Sequence, residues 1–597
     1  MLLFAIGASV LVVMIESVKS TQTEHAILLR DLPKAKAPSV FEESDSFRLP
    51  ASNLLSLPEL TPSLCAMKLI LVALLFCGSL TLSAGTWQPL TNQPPLPDIV
   101  NPDSQRVLGP GGASSPMLLT DGGVIVQNTS PLHADGRIFK LTPDQFGSYV
   151  NGTWSEVAPM PYIQFAAAQA VLPDGRVIIE GGEFTGVNLD FTLTNQGAIY
   201  DPVLNSWRSV PPPPFFVDLY PPRAVFAPHP IGDAASVVLP DGRFMVQDKM
   251  SRQAAILDLT ALTWTETGTA TKADLNDEEG WTLLPNGKVL TVDCYTDVAF
   301  GLTPDYPADP THSELYDPDT GVWVSAGSTV NTLTDPRLYE TGPAVLRPDG
   351  TVFAVGSQGF TSIYNTFNGQ WSAGPTLGIS TEGYQLTAQD ASGALLPNGK
   401  VLFGASGGPI NPNNGDYSDP PLYFFEFDGM SLTQQPTIPN ASIDYAFSVV
   451  MLVLPTGQIL EADSTKDVQI YTPSDTGHNP AWEPVIHRAP STVKPGGSYV
   501  IRGLRFNGMS QASVFGDELQ NATNYPLVRI TNLATNHVFY SRTHDHSSMA
   551  VASNEPVSTS FDVPAGQELG QSKLEVVANG IASQPVYVTV KKNRRKR

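Results

Sequence analysis

Cysteine and charged residues are scarce in this sequence of 597 residues. It has three cysteines, and only 15% of its residues are charged, with 34 lysines and arginines against 57 aspartates and glutamates. A disulfide framework is therefore not expected, and the hydrophobic core must supply the stability. The low charge, with 49 glycines and 53 prolines, argues against coiled coils and helical repeats. The net charge of −23 argues against nucleic-acid binding, because no basic face is available for phosphates.

Several motifs of common enzyme classes are also missing. The sequence contains no Walker loop, no H-E-x-x-H zinc motif and no dinucleotide-binding fingerprint. No pair of carboxylates is singled out for glycoside hydrolysis either. The class of function therefore has to be inferred from the repeat pattern of the chain.

A short pattern recurs along the chain, in which two apolar runs flank a turn, as in LPDGRVIIEGG at Leu172–Gly182. An Asp-Gly or Asn-Gly pair between two β-type runs predicts a hairpin with a tight primed turn, which needs φ > 0 at its centre. The turn residues of the seven copies are Asp121, Asp174, Asp241, Asn286, Asp349, Asn398 and Thr456. Self-similar β-rich units at a spacing of roughly 45–67 residues predict a β-propeller.

A tryptophan follows most of these hairpins at a fixed distance. The pairs separated by seven residues are Tyr200/Trp207, Leu257/Trp264, Tyr316/Trp323 and Tyr364/Trp371, and looser versions are Phe139/Trp154 and Tyr471/Trp482, with Leu432 in the sixth copy. A large flat residue at this position can pack one propeller sheet on the next. We interpret Trp87 as part of a strand that closes the ring by joining the last sheet. In the alternative, Trp482 closes that sheet and Trp87 only leads into the first.

The N-terminal region predicts export. Met67-Lys68, the apolar run LILVALLFCGSLTL and the small residues SAG indicate a signal peptide over 67–85. We interpret residues 1–66 as a disordered extension or as the product of a start codon assigned too early. The protein is then secreted, extracellular or periplasmic, with no membrane span after cleavage, and is expected to be a monomer. Cys294 alone survives cleavage and is expected to be a small buried residue, while 591–597 (KKNRRKR) is a solvated basic tail.

The hairpin rhythm ends near Pro490, and the remaining strands alternate without the tryptophan period. About 110 residues of this kind suit one small Ig-like β-sandwich. The predicted fold is therefore all-β, with a seven-bladed β-propeller over 86–484, whose repeats resemble Kelch repeats, and a C-terminal Ig-like sandwich over 485–590.

The stretches TVKPGGSYVI, RTHDHSS (Arg542–Ser548) and SFDVPAG, with the repeats before them, resemble the galactose oxidase and glyoxal oxidase family over about residues 86–590. The resemblance implies a propeller of Kelch repeats, although their double glycine survives clearly only at Gly181-Gly182. It also implies a C-terminal early set domain whose hairpin enters the propeller axis. In that family a histidine on the hairpin, in a Thr-His context, binds copper, and His544 matches it.

This chain departs from the family where the copper-radical cofactor is built. The family needs a cysteine in the first hairpin, a tyrosine cross-linked to it in the second, and an adjacent Tyr-His pair in the last. Those positions hold Ser115, Ala166 or Phe165, and Tyr445 without a neighbouring histidine. The radical cofactor therefore cannot be built, and copper-radical oxidase activity is disfavoured despite the fold.

Two groups of residues remain as candidate sites. Asp233, Glu278 and Asp390 lie eight positions before their turn residues, and Glu340 lies nine before. They predict a ring of carboxylates at one end of the central channel, which suits Ca²⁺ or another divalent cation, or a cationic or polyhydroxy ligand. The alternative is that they are solvated carboxylates that cap strands.

The second group is His544 and His546. Alternate residues of a strand share a face, so both histidines could point into the channel and bind a transition metal such as copper. Without the resemblance, they would be interpreted as surface or hydrogen-bonded histidines.

These observations give three hypotheses. In the first, an exported galactose-oxidase-like propeller without an intact copper-radical site binds carbohydrate or another extracellular polymer at the channel mouth, with Tyr445 beside the four carboxylates. In the second, a divergent metal-dependent oxidase acts on primary alcohols, sugars or aldehydes with His544, His546 and Tyr445 around a metal. In the third, a structural extracellular protein presents its loops to a partner. Whether the protein is an enzyme is left open by the sequence.

Overall fold

The computed structural model describes residues 84–216, 230–294, 310–335, 337, 340–414 and 417–592. The predicted extension 1–66, the predicted signal peptide as far as residue 83 and the basic tail from residue 593 lie outside the described residues. The described residues form strands and four 3₁₀ turns, at Pro412–Asn414, Pro439–Ser442, Ala446–Ser448 and Pro480–Trp482. Within this part of the chain, no helix has the length and hydropathy that crossing a bilayer requires. The prediction of an all-β fold is confirmed.

Seven antiparallel sheets follow one another, one for each predicted turn, and we number them in the order of those turns. Six have four strands, and sheet 6 has a fifth, Ser513–Val514, from the C-terminal region. In each sheet the turn joins the innermost strand to the second. Sheet 1 comprises Gly112–Leu118, Val124–Ser130, His133–Thr142 and Thr153–Val157, and sheet 2 comprises Ala168–Val171, Val177–Glu180, Gly197–Asp201 and Ser206–Ser209. Sheet 3 comprises Ser236–Val238, Phe244–Gln247, Ala254–Asp258 and Thr263–Thr267, and sheet 4 comprises Thr282–Leu283, Val289–Val292, His312–Asp317 and Val322–Ser328.

The last three sheets follow the same order. Sheet 5 comprises Ala344–Leu346, Thr351–Val355, Thr361–Asn365 and Gln370–Ala373, and sheet 6 comprises Gly393–Leu395, Val401–Ser406, Leu422–Phe427 and Leu432–Gln435. Sheet 7 comprises Val450–Val453, Ile459–Ala462, Gln469–Thr472 and, from the N-terminal side, Thr86–Pro89. Shorter strands outside the seven sheets are the pair Ile99–Val100 and Val107–Gly109, and the trio Gln164–Phe165, Phe184–Thr185 and Asp190–Phe191.

The seven turns are hairpins, as predicted, but their conformation differs from the predicted primed turn. In LPDG the N–H of Gly175 donates to the carbonyl of Leu172, and Gly175 has φ +81° while Asp174 has no positive φ. This is a type I turn followed by a left-handed glycine, because Pro173 holds φ near −65° and cannot adopt the primed form. The carboxylate of Asp174 accepts the N–H of Arg176 at 3.0 Å and fixes the turn.

The tryptophans join each sheet to the one before it. The spacing of seven residues makes each pair direct cross-strand partners, such as Tyr200 and Trp207, whose ring centroids are 5.1 Å apart. The indole N–H of Trp207 donates to the carbonyl of Ala158, just beyond the outer strand of sheet 1. Trp264 donates in the same way to Pro211 beyond sheet 2. The looser pair Phe139/Trp154 was assigned wrongly, since Trp154 lies opposite Leu141.

The ring closes through its first strand. Thr86–Pro89 pairs with Gln469–Thr472, and Trp87 lies opposite Tyr471 with ring centroids 4.9 Å apart. The indole of Trp87 donates to the carbonyl of Pro436 beyond sheet 6, at 2.7 Å. Trp482 lies in a 3₁₀ turn outside the sheet. The interpretation of Trp87 as the closing residue is therefore confirmed.

The C-terminal region forms one continuous sheet of nine strands. Its strands are Val485–Arg488, Thr492–Val493, Ser498–Leu504, Leu527–Asn532, Val538–His544, Val557–Asp562, Gly570–Ala578, Ile581–Ala582 and Val586–Val590. Val538–His544 pairs with strands on both sides and joins the two halves. The halves enclose a core of their own that includes Ile501, Val528 and Phe561. The assignment as an Ig-like early set domain stays a prediction.

A loop of this region, residues 507–525, enters the propeller, and we call it the axial loop. Ser513–Val514 pairs with the innermost strand of sheet 6, and the amide of Asn521 donates to carbonyls in sheets 1 and 7. The backbone N–H of Leu519 donates to Ala167 at the start of sheet 2. The resemblance had implied the Thr543-His544 segment for this place, but that segment instead lies across the turns of sheets 1 to 3.

Truncation of Trp87 tests the closure of the ring. Trp87→Ala removes the tilted ring contact with Tyr471 and the hydrogen bond to Pro436, so we expect the free energy of unfolding to fall by about 3 kcal/mol. The matched control is Met430→Ala, whose side chain is 87% exposed and should change stability by less than about 0.5 kcal/mol. Urea denaturation followed by tryptophan fluorescence measures both. Equal stability of the two variants would contradict the closing role.

Candidate ligand site at one end of the propeller axis

The four carboxylates predicted from the turn spacing belong to four successive sheets. Asp233, Glu278, Glu340 and Asp390 lie just before the innermost strands of sheets 3, 4, 5 and 6. Glu278 and Asp390 have left-handed backbones, with φ +57° and +52°. Non-glycine residues rarely hold this conformation, which costs of order 1–3 kcal/mol and is enriched at functional sites. Glu278 interacts electrostatically with Glu340, and Glu340 with Asp390. Asp233 and Glu278 contact the same ammonium, that of Lys249, so all four carboxylates belong to one cluster.

One lysine neutralises part of this cluster. The ammonium of Lys249, which is 7% exposed, contacts Asp233, the Oε1 of Glu278 at 2.5 Å and the Oδ1 of Asp277 at 3.2 Å. Lys249 follows the second strand of sheet 3. A buried carboxylate is tolerated when a cation pairs with it, so Lys249 accounts for the sheet 3 and sheet 4 side of the ring.

An aromatic patch lies next to the carboxylates, made of Tyr417, Phe447 and Tyr445. The hydroxyl of Tyr417 donates to Oε1 of Glu340 at 2.5 Å. Phe447 lies 4.8 Å from the ring of Tyr417 and stacks on Tyr445 at 5.0 Å. All three side chains are partly exposed. The predicted site residue Tyr445 is therefore connected to the carboxylate cluster through two aromatic neighbours.

The tip of the axial loop adds two carboxylates that the sequence analysis missed. Oxygens of Asp517, Asp233 and Glu278 lie within 4.8 Å of one another, as do oxygens of Asp517, Asp390 and Glu518. Asp517 is 2% exposed, and neither of its carboxylate oxygens has a hydrogen-bond partner among the described residues. The tip approaches Asp390 closely, since a Cβ on Gly516 would lie 2.4 Å from the Oδ1 of Asp390.

Burial and mutual repulsion shift the acidities of this cluster. Burial raises the pKa of Glu340 to about 8, and the neighbouring charge of Asp517 adds to the shift. Burial likewise raises the pKa of Asp390 well above its usual value, with the charges of Glu340 and Asp517 adding to it. The cluster therefore holds more carboxyl groups than Lys249 alone can balance, and the raised pKa values favour their protonated, neutral form.

A pocket of about 300 Å³ opens in the neighbouring loops of sheets 5 and 6. Its lining includes Arg337, Tyr384 and Gln385. The backbone N–H of Asp335, at its edge, donates to the carbonyl of Glu340 at 3.0 Å. The pocket and the carboxylate cluster therefore share one end of the propeller.

The two predicted histidine ligands lie elsewhere. The Nδ1 of His544 is 2.8 Å from Oδ2 of Asp545, and its Nε2 is 3.3 Å from Oδ1 of Asp562. His546 is buried, and burial lowers its pKa to about 3. Its backbone N–H donates to Pro173 in the turn of sheet 2. Tyr445 and the four carboxylates precede the innermost strands, so they lie at the end of the propeller opposite to the turns and to these two histidines. A strand rises about 3.3 Å per residue, so the two ends are on the order of 20 Å apart.

Copper does not fit the residues that the structure brings together. Among the described residues, each group of three acidic, histidine or cysteine side chains close enough to share a metal consists of carboxylates alone. Such oxygen donors suit Ca²⁺ or Mg²⁺, whereas copper prefers nitrogen and sulfur donors. Ser115 and Ala166 supply neither the thiol nor the phenol of the radical cofactor, so the described residues support no reaction step through copper.

A second buried charge cluster lies beside sheet 4. Lys272 is fully buried, and its ammonium contacts Asp274, the Oε1 of Glu279 at 2.9 Å and the Oε2 of Glu314 at 2.7 Å. Its Nζ also lies 5.4 Å from the ring centre of Trp323. In this cluster the ammonium already fills the space between the carboxylates, so we interpret it as structural.

Removing Lys272 tests this structural role. Lys272→Met leaves three buried carboxylates without their cation, so we expect a loss of about 3–5 kcal/mol in the free energy of unfolding. Lys140→Met is the control, because the Lys140–Asp121 pair at 2.5 Å is partly exposed and should contribute less than about 1 kcal/mol. Urea denaturation midpoints of both variants give the comparison. A similar small loss in both would show that Lys272 is not a buried counter-ion.

The raised pKa of Glu340 predicts the pH dependence of stability. The native state holds this proton up to about pH 8, while the unfolded chain releases it near pH 4.5, so stability should fall as pH rises between these values. Glu340→Gln should flatten the slope by up to about 1.4 kcal/mol per pH unit, the limit for one proton. Denaturation at several pH values with chelator present measures it. The exposed Glu156→Gln should leave the slope unchanged, and the same slope in wild type and Glu340→Gln would contradict the prediction.

The sheets, their turns and the tryptophan contacts define a β-propeller of the Kelch type. No protein-family profile matches this sequence. The chain is similar to the Kelch-like protein terF of Aspergillus terreus (strain NIH 2624 / FGSC A1156), with 26% identity over 223 residues. That match covers 36% of this chain and 44% of the relative, so the chain spans less than half of the relative's length.

Two solved structures align with parts of this chain. A GH74 enzyme of Niastella koreensis is 13% identical, with a TM-score of 0.38, over 81% of this chain and 73% of that one. The structure of YjhT is 14% identical, with a TM-score of 0.32, over 64% of this chain and 95% of that one. The finer resemblance to galactose oxidase stays a prediction.

Proposed function

We propose that this chain is an exported Kelch-type propeller protein that binds carbohydrate, or another polyhydroxy extracellular polymer, at the carboxylate end of its axis. The observation that carries the proposal is the aromatic patch of Tyr417, Phe447 and Tyr445 beside the buried carboxylates. Binding sites commonly combine apolar or aromatic surface with a few converging polar groups, and this end of the channel has both.

The chemistry of the two components matches a sugar. A pyranose ring presents a face of C–H groups that packs on an aromatic ring, and hydroxyls at its rim that donate to carboxylates. Tyr445 and Phe447 supply stacked rings, and Glu340 and Asp419 supply acceptor oxygens at the hydroxyls of Tyr417 and Tyr445. The pocket with Tyr384, Arg337 and Gln385 extends the same combination of groups to the next loops.

The alternative oxidase is not part of the proposal. It needs His544, His546 and Tyr445 around one metal, and the histidines lie at the turn end of the propeller, where His546 bonds to Pro173. Among the described residues no histidine joins a group of metal-ligating side chains.

Sugar binding can be tested with the secreted full-length protein on a glycan array, followed by calorimetry with the best glycan. Tyr445→Ala should weaken binding about threefold to tenfold, the range expected for one aromatic contact. Tyr587→Ala is the control, because Tyr587 is a 68% exposed aromatic of the C-terminal region and should leave affinity unchanged. Absence of any retained glycan, or equal affinity in the two variants, would reject the proposal.

A further inference from the structure

We propose that Asp390, Asp517 and Glu518 bind one divalent cation, Ca²⁺, between the innermost strand of sheet 6 and the tip of the axial loop. This site goes beyond the sugar-binding proposal and does not depend on it. One carboxylate oxygen from each residue lies within 4.8 Å of the other two. Ca²⁺ takes six to eight oxygen ligands at about 2.3–2.6 Å, so three carboxylates at this spacing can share one ion and leave places for water.

The unpartnered oxygens of Asp517 point to a ligand. Asp517 is 2% exposed, and neither its Oδ1 nor its Oδ2 has a hydrogen-bond partner within the described chain. The Oδ1 of Asp390 is also buried without a partner. A buried acceptor normally finds a donor, because leaving it without one costs about 1–3 kcal/mol and more for a charged group. Three such oxygens at one place indicate a cation that satisfies them together.

No cationic side chain of the described residues already satisfies these oxygens. Lys249 directs its ammonium to Asp233, Asp277 and Glu278, and its ion pairs include none of Asp390, Asp517 and Glu518. No lysine, arginine or histidine among the described residues forms an ion pair with Asp390, Asp517 or Glu518. This distinguishes the site from the cluster around Lys272, where an ammonium takes the central place.

The backbone holds the tip in a fixed shape. Ser513–Val514 pairs with the innermost strand of sheet 6, which brings the following residues to Asp390. The amide of Gln520 donates to the carbonyl of Asp517 at 2.6 Å and closes the tip on itself. A preformed set of oxygens binds a cation without the entropy cost of ordering a loop.

The choice of Ca²⁺ follows from the donors. All three are carboxylates, which are hard oxygen ligands, and no nitrogen or sulfur donor belongs to the group. Mg²⁺ demands near-ideal octahedral geometry and dehydrates reluctantly, so it usually keeps several waters. A site assembled from two separate segments, with three carboxylates at one point, suits the looser geometry of Ca²⁺.

The test uses the full-length secreted protein, freed of metal with chelator and titrated calorimetrically with CaCl₂, MgCl₂ and MnCl₂. We expect saturable binding of one Ca²⁺ per chain and a higher melting temperature with Ca²⁺ than with chelator. Asp517→Asn and Glu518→Gln should each weaken Ca²⁺ binding at least tenfold and abolish the Ca²⁺-dependent rise in melting temperature.

The matched control is Glu461→Gln. Glu461 in sheet 7 is fully buried with both carboxylate oxygens unpartnered, yet it belongs to no group of three ligands among the described residues. This variant should keep wild-type Ca²⁺ affinity. Misfolding is recognised separately, because in chelator Asp517→Asn removes buried repulsion and should melt no lower than wild type.

Absence of saturable Ca²⁺ binding to wild type, or unchanged affinity in both Asp517→Asn and Glu518→Gln, would overturn the proposal. Saturable binding of Mg²⁺ or Mn²⁺ in place of Ca²⁺ would overturn the assignment of the ion. If Ca²⁺ binding fails while the Tyr445-dependent glycan binding holds, the cation site alone is rejected. The reverse result rejects the sugar site alone.

Discussion

Each four-stranded sheet of this protein has two apolar faces, and neither can be left in water. Neighbouring sheets cover both faces of every sheet only if the series closes into a ring. The pairing of Thr86–Pro89 with Gln469–Thr472 completes sheet 7 and closes this ring, so the interfaces between the sheets depend on it. The indole hydrogen bonds of Trp207 and Trp264 repeat the same solution between other sheets. Closing a ring also creates a central axis. The buried carboxylates and Lys249 lie at one end of this axis, in numbers that a smaller fold could not bury.

Local signals predicted the ring well. The turn residues and the partner of each regular tryptophan follow from spacing alone, because hairpin register ties sequence distance to spatial neighbours. The sequence left two alternatives for the closing residue, Trp87 and Trp482, and the strand pairing decided between them. The primed form of the turn was wrong because Pro173 and its counterparts fix φ before the Asp-Gly pair. The carboxylates Asp233, Glu278, Glu340 and Asp390 were found because each precedes an innermost strand by nearly the same number of residues.

The rest of the site could not be found in this way. Nine of the 19 residues of the axial loop are Ser, Gln, Asn, Asp or Glu, a composition typical of an exposed loop, yet nearly all of the loop is buried. Several of its polar groups are satisfied by contacts far away in the chain, such as the amide of Asn521 with the carbonyl of Pro116, and no local pattern encodes these. Lys249 and Tyr417 were missed for the same reason, since their carboxylate partners come from other loops. The prediction for His544 failed in the opposite way. Its local Thr-His motif matched the family, but its segment lies at the end of the axis opposite to the carboxylates.

The closing strand has a consequence for how the protein is made. Thr86–Pro89 is the first strand of the ring to leave the ribosome or a translocation channel, and its partner Gln469–Thr472 follows more than 380 residues later. Until then the first strand is an unpaired edge, and sheet 1 lacks the neighbour that covers one of its faces. Contacts between such distant segments form slowly, so the nascent chain has to remain unaggregated through most of its synthesis. A tag or truncation at this end would act on the last step of folding, although it lies at the start of the ring.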